Sequence, residues 1–128
     1  EHVIGEEVEQ ALLKAAGEED LKIVEFTVAP YISASEGQSY HDWFVEFEKD
    51  PASLEHFAQK VDDNLRALNV YYDDLIAGNI LARLRMKPLK NHGFIEYMKS
   101  VGKLGGQNKI PRLANDRKIA DLLKINKL

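Results

Sequence analysis

Alternation of apolar and polar positions with a period of two predicts a pair of β-strands in the first half of the chain. Their apolar faces comprise Val24, Phe26, Val28 and Trp43, Val45, Phe47. In the second run, Asp42, Glu46 and Glu48 lie mostly on the opposite face. Because a Gly/Ser-rich loop joins the two runs, we expect an antiparallel hairpin with one face in solvent.

A third alternating run extends from Ile80 to Lys87 and predicts another strand. Its inner positions are Ala82, Leu84 and Met86, and its outer positions are Arg83, Arg85 and Lys87. The three outer residues are called the basic face below. The polar side of this strand is therefore entirely cationic.

Apolar residues spaced three and four apart predict five helices around these strands. We expect a first helix from Gly5 to Gly17 and a second that begins with Asp50 as N-cap and Pro51 at its first position. The remaining helices are expected at 71–77, at 94–101 and from a cap at Asn115 or Asp116 to about Leu123. The pattern predicts one α+β domain over residues 1–128, with a small, largely antiparallel three-stranded sheet and amphipathic helices mainly on one face.

The composition narrows the functional classes. The chain has 128 residues, of which 45% are hydrophobic and 30% charged, which is typical of one globular domain. It lacks an apolar run near the length of about 18 residues that a membrane helix needs, so we expect no membrane partner. Cysteine is absent, which excludes thiolate chemistry and fits a cytoplasmic location. Because the first residue is Glu1 rather than Met, we infer a fragment of a longer protein.

The charges are divided unevenly along the chain. Residues 1–82 carry 18 acidic and 5 basic side chains, whereas residues 83–128 carry 3 acidic and 12 basic ones. Such an asymmetry favours an anionic partner for the C-terminal third. The simpler interpretation is that the two parts neutralise one another within the folded domain.

One segment combines glycines with basic residues, GKLGGQNKIPR from Gly102 to Arg112. Glycines allow positive φ and close approach of backbone N–H groups to an anion. Lys103, Lys109 and Arg112 are therefore candidate phosphate ligands, on a loop shaped by Gly102, Gly105 and Gly106. The spacing is not that of a nucleotide-hydrolase phosphate loop, and a surface turn with solubilising lysines is the alternative.

Other chemistries have less support. The four histidines are dispersed and lack metal-ligand spacing, so we expect no metal site in this chain. The basic face could bind RNA, but no aromatic residues are interleaved with it to stack on bases. We therefore do not expect a nucleic-acid partner.

Two stretches resemble a known family. FIEYMKSVGKLGGQNKIPRL is similar to the C-terminal domain of the auxin-responsive-promoter family of acyl-acid amido synthetases, where a glycine turn precedes Gln, any residue, Lys, any residue, Pro-Arg. EHVIGEEVEQAL resembles the hinge and helix that open the C-terminal domain in the wider luciferase-like adenylating superfamily. The resemblance is closest to bacterial members.

The resemblance implies the lid domain of a larger ligase. The complete enzyme would use ATP and Mg²⁺ to adenylate a carboxylic acid and would then transfer the acyl group to an amino acid amine. The partner of this domain would be its own N-terminal adenylation domain, and the fragment alone would bind no cofactor and catalyse nothing. Lys109 would be the catalytic residue at the phosphates, supported by the residues Lys103, Gly105, Gly106, Gln107 and Arg112.

Asn108 stands where plant members tend to have an aromatic residue, so the amine acceptor is left open. A noncatalytic module that binds an anion or an acidic protein through the basic C-terminal third is the alternative function.

Overall fold

The structure is a computed structural model that describes residues 3–32, 38–105 and 108–123. Within these ranges the chain forms five helices and three strands. In chain order they are α1 Gly5–Glu18, β1 Ile23–Tyr31, β2 Tyr40–Phe47, α2 Leu54–Leu68, α3 Val70–Ala77, β3 Arg85–Pro88, α4 Gly93–Ser100 and α5 Lys118–Leu122. The α+β class is confirmed. None of the helices in these ranges is both long and apolar enough to cross a bilayer.

The three strands form one sheet in the order β1-β2-β3. β1 and β2 pair in antiparallel orientation, with Tyr31 opposite Tyr40 at the end near their connection. β3 runs parallel to β2, because α2 and α3 lie between the two strands in the chain and return it to the starting end of the sheet. The sheet is thus mixed and mostly antiparallel.

One face of the sheet is covered by α1, α2 and α3. Inward side chains of these helices pack against the inward side chains of β2, and together they form the first cluster. Its fully buried members include Val8, Leu12, Trp43, Val45, Phe57, Val61, Leu65 and Tyr72. Burial of one large apolar side chain stabilises a fold by about 1.5–3 kcal/mol, so this cluster supplies most of the driving force.

The opposite face of the sheet is buried as well. The expectation that one face of the hairpin lies in solvent is therefore wrong. A second cluster there joins β1 and β2 to α4, to α5 and to the chain between them. It comprises Ala29, Phe44, Leu89, Phe94, Tyr97, Ile110, Ala120 and Leu123. Asp42 and Glu46, which we expected in solvent, retain only 3% and 4% of their exposure.

Both buried carboxylates have compensating partners. Glu46 accepts hydrogen bonds from the backbone N–H groups of His92, at 2.9 Å, and Phe94, at 3.2 Å. These groups lie at the N-terminus of α4, where the helix dipole favours a negative charge. Asp42 Oδ2 lies 3.1 Å from Arg117 Nη1. The polar side chains of this central strand are therefore stabilised by hydrogen bonds and ion pairs rather than by contact with water.

Two helix starts differ in part from the sequence expectation. α2 begins after Ser53, whose hydroxyl accepts the His56 N–H at 3.2 Å, so the assignment of Asp50 as its N-cap is wrong. α5 begins at Lys118, whose N–H donates to Asp116 Oδ1 at 3.0 Å. The acidic residue expected to start α5 does contact its first N–H group.

The third strand is shorter than its alternation suggests. Regular pairing is restricted to Arg85–Pro88, and Leu81 makes only an isolated bridge to Ser39. Leu84 and Met86 are buried, as the alternation predicts.

Candidate functional site

The chain just after the glycine-rich loop is bonded to the outer edge of β1. The Val28 N–H donates to the Arg112 carbonyl at 3.1 Å, and the Ala114 N–H donates to the Val28 carbonyl at 2.8 Å. Val28 and Leu113 form a parallel bridge. Residues 108–114, called the Lys109 segment below, thus end in extended chain that covers a strand edge.

Two contacts hold this segment directly beside Lys109. Ile110 is buried in the second cluster. The Thr27 hydroxyl donates to the Pro111 carbonyl at 2.7 Å, a contact between residues 84 positions apart. The backbone that follows Lys109 is therefore fixed against the sheet.

Lys109 itself is exposed. It makes no hydrogen bond or ion pair with any residue in the described ranges. Its side chain lines an open groove of about 770 Å³ between the Lys109 segment, β1 and α4. The apolar part of the groove is formed by Val24, Phe94, Ile95, Met98, Ile110 and Pro111. Lys109 thus offers a full positive charge beside a partly apolar depression.

Val24 reaches this groove because the start of β1 is irregular. The pairing with β2 shifts register between Ile23 and Glu25. Such a bulge rotates one residue out of the alternation. Val24 is 52% exposed, so the expectation that it shares the buried face of Phe26 and Val28 is wrong.

Arg112 lies in the same groove but is engaged within the domain. Its Nη1 lies 2.5 Å from Glu25 Oε1 and its Nε 3.5 Å from Glu9 Oε1. Its guanidinium also covers the Phe26 ring, with Cζ 4.6 Å from the ring centre. The expected phosphate contact of Arg112 stays a prediction, and the geometry gives this side chain an anchoring role.

The glycines before Lys109 have the backbone geometry that the sequence suggested. Gly102 and Gly105 have φ values of +69° and +88°, in the region that favours glycine. Lys103 is exposed between them. Gly106 and Gln107, also expected at the site, lie outside the described residues. The part of the loop that is described turns sharply and presents lysines to solvent.

Part of the basic face is neutralised by the acidic half of the chain. Arg83 Nε lies 3.8 Å from the buried carboxylate of Asp62, and Arg83 Nη1 lies 3.9 Å from Asp63. Together with the pairs made by Arg112 and Arg117, these contacts account for a share of the charge asymmetry as internal ion pairs.

Aromatic residues of β1 and β2 lie beside the basic face in space, although none is interleaved with it in the sequence. Arg85 covers the Tyr40 ring at 4.0 Å, Tyr40 stacks on Tyr31 at 4.7 Å, and Arg117 lies 5.4 Å from the Tyr31 ring. The two rings contact each other and two guanidinium groups. Arg85 and Tyr31 therefore occupy the two faces of the Tyr40 ring, so this ring offers no face on which a base could stack.

A buried polar contact links α2 to α3. The Tyr72 hydroxyl donates to Asp62 Oδ1. Burial raises the pKa of Tyr72, and the negative charge of Asp62 raises it further. Within the described residues, no three histidine, aspartate or glutamate side chains are grouped so as to hold a metal ion.

The sequence marks Lys109 as a candidate but does not mark the residues that attach the neighbouring backbone to the sheet. Glu9, Glu25 and Thr27 are distant from Lys109 in sequence and nothing local connects them to it. Thr27 gave the one available signal, because it is a polar residue between the apolar Phe26 and Val28. In the structure the Thr27 side chain is buried.

Comparisons with known proteins agree with this architecture. Residues 6–118 match the family described as the GH3 family C-terminal domain. A solved GH3.15 acyl acid amido synthetase is similar in structure, with a TM-score of 0.73 and 18% identity over 94% of this chain. The structure titled AtGH3.15 acyl acid amido synthetase in complex with 2,4-DB has a TM-score of 0.69 and 17% identity over 91% of this chain. The chain spans only 24% and 22% of those two proteins. Curated proteins gave no match.

Proposed function

The chain belongs to the GH3 family as a C-terminal domain, and from this premise we propose that it is the mobile lid of an ATP-dependent acyl acid amido synthetase. The complete enzyme would adenylate a carboxylic acid and pass the acyl group to an amino acid amine. The domain's partner would be an N-terminal domain that binds ATP and the acid. Its membership of the bacterial branch and its cytoplasmic location stay predictions.

The single observation that supports this function is the environment of Lys109. Its ammonium group is exposed and unpaired within the described part of the chain, whereas the backbone beside it is fixed by Ile110 and Thr27. A lysine kept only for solubility needs no such support. A fixed backbone that carries a free cation suits a group delivered to an anion on another domain.

In adenylation, the Lys109 ammonium group would stabilise negative charge that develops on the phosphates. Attack of a carboxylate on the α-phosphate of ATP expels pyrophosphate and concentrates negative charge on the leaving oxygens. A positioned ammonium stabilises this charge more in the transition state than in the ground state. We assign the ATP and Mg²⁺ ligands to the N-terminal domain, as the resemblance to the family implies. From this domain, Lys109 would approach the phosphates.

The position of the domain entry is compatible with a lid. α1 begins at Gly5, where an added Cβ would lie 3.4 Å from the Cβ of Arg112. The start of the domain and the Lys109 segment are therefore on the same side of the molecule. A hinge before α1 would move Lys109 through a short arc.

ATP–pyrophosphate exchange in the longer protein tests the proposal. A panel of carboxylic acids is screened, and we expect at least one acid to support exchange. With that acid, Lys109→Ala should slow exchange by about 10²-fold or more, which is the usual effect of removing one electrostatic stabiliser. The matched control is Lys14→Ala, which removes another exposed lysine, from α1.

Two outcomes would contradict the proposal. Exchange at the wild-type rate in Lys109→Ala removes this residue from adenylation. Absence of exchange with every acid, together with salt-sensitive binding of polyanions by the domain, would favour a noncatalytic anion-binding module instead.

A further inference from the structure

Arg112 and Lys109 are three residues apart, yet only Arg112 forms ion pairs with carboxylates of the described residues. The Arg112 guanidinium contacts Glu25 through Nη1 and Glu9 through Nε, and one of its faces lies on Phe26. Nη1 and Nε thus face carboxylates, and a phosphate bound through two parallel N–H donors would have to share at least one of these nitrogens with Glu25 or Glu9. Lys109 has no such partners within the described ranges.

The contacts of Arg112 join three parts of the fold. Glu9 belongs to α1, Glu25 and Phe26 belong to β1, and Arg112 itself lies in the Lys109 segment. The carbonyl of Arg112 also accepts the Val28 N–H. Side chain and backbone of one residue thus fix the same stretch to the same strand edge.

Thr27 completes this attachment on the other side of Arg112. Its hydroxyl donates to the Pro111 carbonyl at 2.7 Å and is buried. The contact involves no charge, and it fixes the backbone two residues after Lys109. Any displacement of Pro111 from β1 would therefore displace Lys109.

We propose that Glu25, Thr27 and Arg112 are positioning residues, which hold the backbone so that Lys109 meets the phosphates, and that Arg112 is not itself a phosphate ligand. This inference rests on the proposed function of Lys109. Precision matters because a displacement of about 1 Å at a reacting group can cost on the order of 10²-fold in rate.

Glu25→Gln distinguishes positioning from phosphate binding by the direction of its effect. If Arg112 bound phosphate, removal of the competing Glu25 charge would free the guanidinium, and exchange would be unchanged or faster. If Arg112 positions Lys109, loss of the ion pair loosens the segment, and exchange slows. We expect a decrease of about 10-fold in kcat with little change in KM for ATP.

Thr27→Val tests the same idea without altering any charge. Valine has nearly the shape of threonine but cannot donate to the Pro111 carbonyl. We expect a decrease in kcat similar to that of Glu25→Gln, again of about 10-fold. In the Lys109→Ala background neither substitution should slow exchange further, because residues that act as one unit are not additive.

The matched control is Asp73→Asn. It removes another short arginine–carboxylate pair, in which Arg66 Nε lies 2.6 Å from Asp73 Oδ1 between α2 and α3. This pair is remote from the Lys109 segment in sequence and lies on other elements. We expect exchange to stay within twofold of the wild-type rate.

Hydrogen–deuterium exchange of the full-length protein provides a readout that needs no acid substrate. Peptides covering 108–114 should exchange at least several-fold faster in Glu25→Gln and Thr27→Val, whereas peptides from α2 should be unchanged. Unchanged protection of 108–114 in both variants overturns the proposal, as does an unchanged or higher kcat in Glu25→Gln.

The two hypotheses fail in different ways. If Lys109→Ala leaves adenylation unchanged, the proposed function is wrong. If Lys109→Ala slows adenylation but Glu25→Gln and Thr27→Val do not, the function stands and the positioning inference is wrong.

Discussion

Asp62 is a fully buried carboxylate, so its placement depends on the groups around it. It lies on α2 at 1% exposure, with Tyr72 donating to one carboxylate oxygen and Arg83 3.8 Å from the other. A buried carboxylate is tolerated only with such partners, because loss of one exposes the full desolvation penalty. The hydrogen bond between Tyr72 and Asp62 also joins α3 to α2.

Tyr72→Phe should destabilise the domain at neutral pH. The substitution keeps the ring in the first cluster but removes the hydroxyl that Asp62 uses. We expect a loss of about 1–3 kcal/mol in the free energy of unfolding, measured by urea denaturation at pH 7. A loss below about 0.5 kcal/mol would show that the contact contributes little.

The buried Tyr72 hydroxyl also contributes to the change of stability with pH in the alkaline range. Burial raises the pKa of Tyr72 in the folded state, so above about pH 10 only the unfolded chain releases this proton. Stability from this group is therefore complete below about pH 10 and decreases above it, by up to about 1.4 kcal/mol per pH unit. Tyr72→Phe should make the decrease between pH 9 and 11 shallower, as measured by urea unfolding at a series of pH values.

At the level of elements, the N-cap of α2 lies three residues after the position that the local sequence favours for it. Asp50-Pro51 has the composition of a helix start, yet Ser53 caps α2 and the chain is not helical before it. Ser53 and Asp50 are both acceptable N-cap residues, so propensity alone could not separate them.

Ser53→Ala should destabilise the domain by about 1 kcal/mol, because the His56 N–H loses its acceptor. Asp50→Ala is the matched control and should change stability by less than about 0.5 kcal/mol, as is usual for a surface position. Thermal or urea unfolding of the two variants decides between the sites. A larger effect from Asp50→Ala would contradict the structure.

The strands show what a sequence pattern can and cannot predict. Alternation correctly identified β1 and β2 and the buried residues of the first cluster, because these depend on local periodicity. It failed to show that the second face is covered, since that depends on α4, α5 and Ile110 folding back across the sheet. It also failed at Val24, where a bulge interrupts the period.

The candidate site divides in the same way. Lys109 could be selected from sequence because glycines, a proline and the family resemblance all mark the segment around it. Its attachment to Thr27, and the pairing of Arg112 with Glu9 and Glu25, connect residues that are far apart in the chain. No pattern confined to a window of sequence contains those contacts.

At the scale of the whole molecule, some basic residues of the C-terminal third form ion pairs within the domain and others do not. Arg83, Arg112 and Arg117 are paired with carboxylates of the acidic half, as the simpler interpretation of the asymmetry requires. Lys103 and Lys109 have no partner within the described ranges and lie on one loop and its continuation. Three arginines of the C-terminal third are thus paired inside the domain, whereas these two lysines are available to a partner domain.

A single-turnover assay of the longer protein tests the central claim most directly. Enzyme, ATP and the accepted acid are mixed rapidly, and the pyrophosphate released in the first turnover is followed for the wild type and for Lys109→Ala. We expect Lys109→Ala to slow this burst by about 10²-fold or more, while the acyl adenylate, supplied ready-made, is still passed to the amine at the wild-type rate. A burst of pyrophosphate at the wild-type rate in Lys109→Ala would contradict the account.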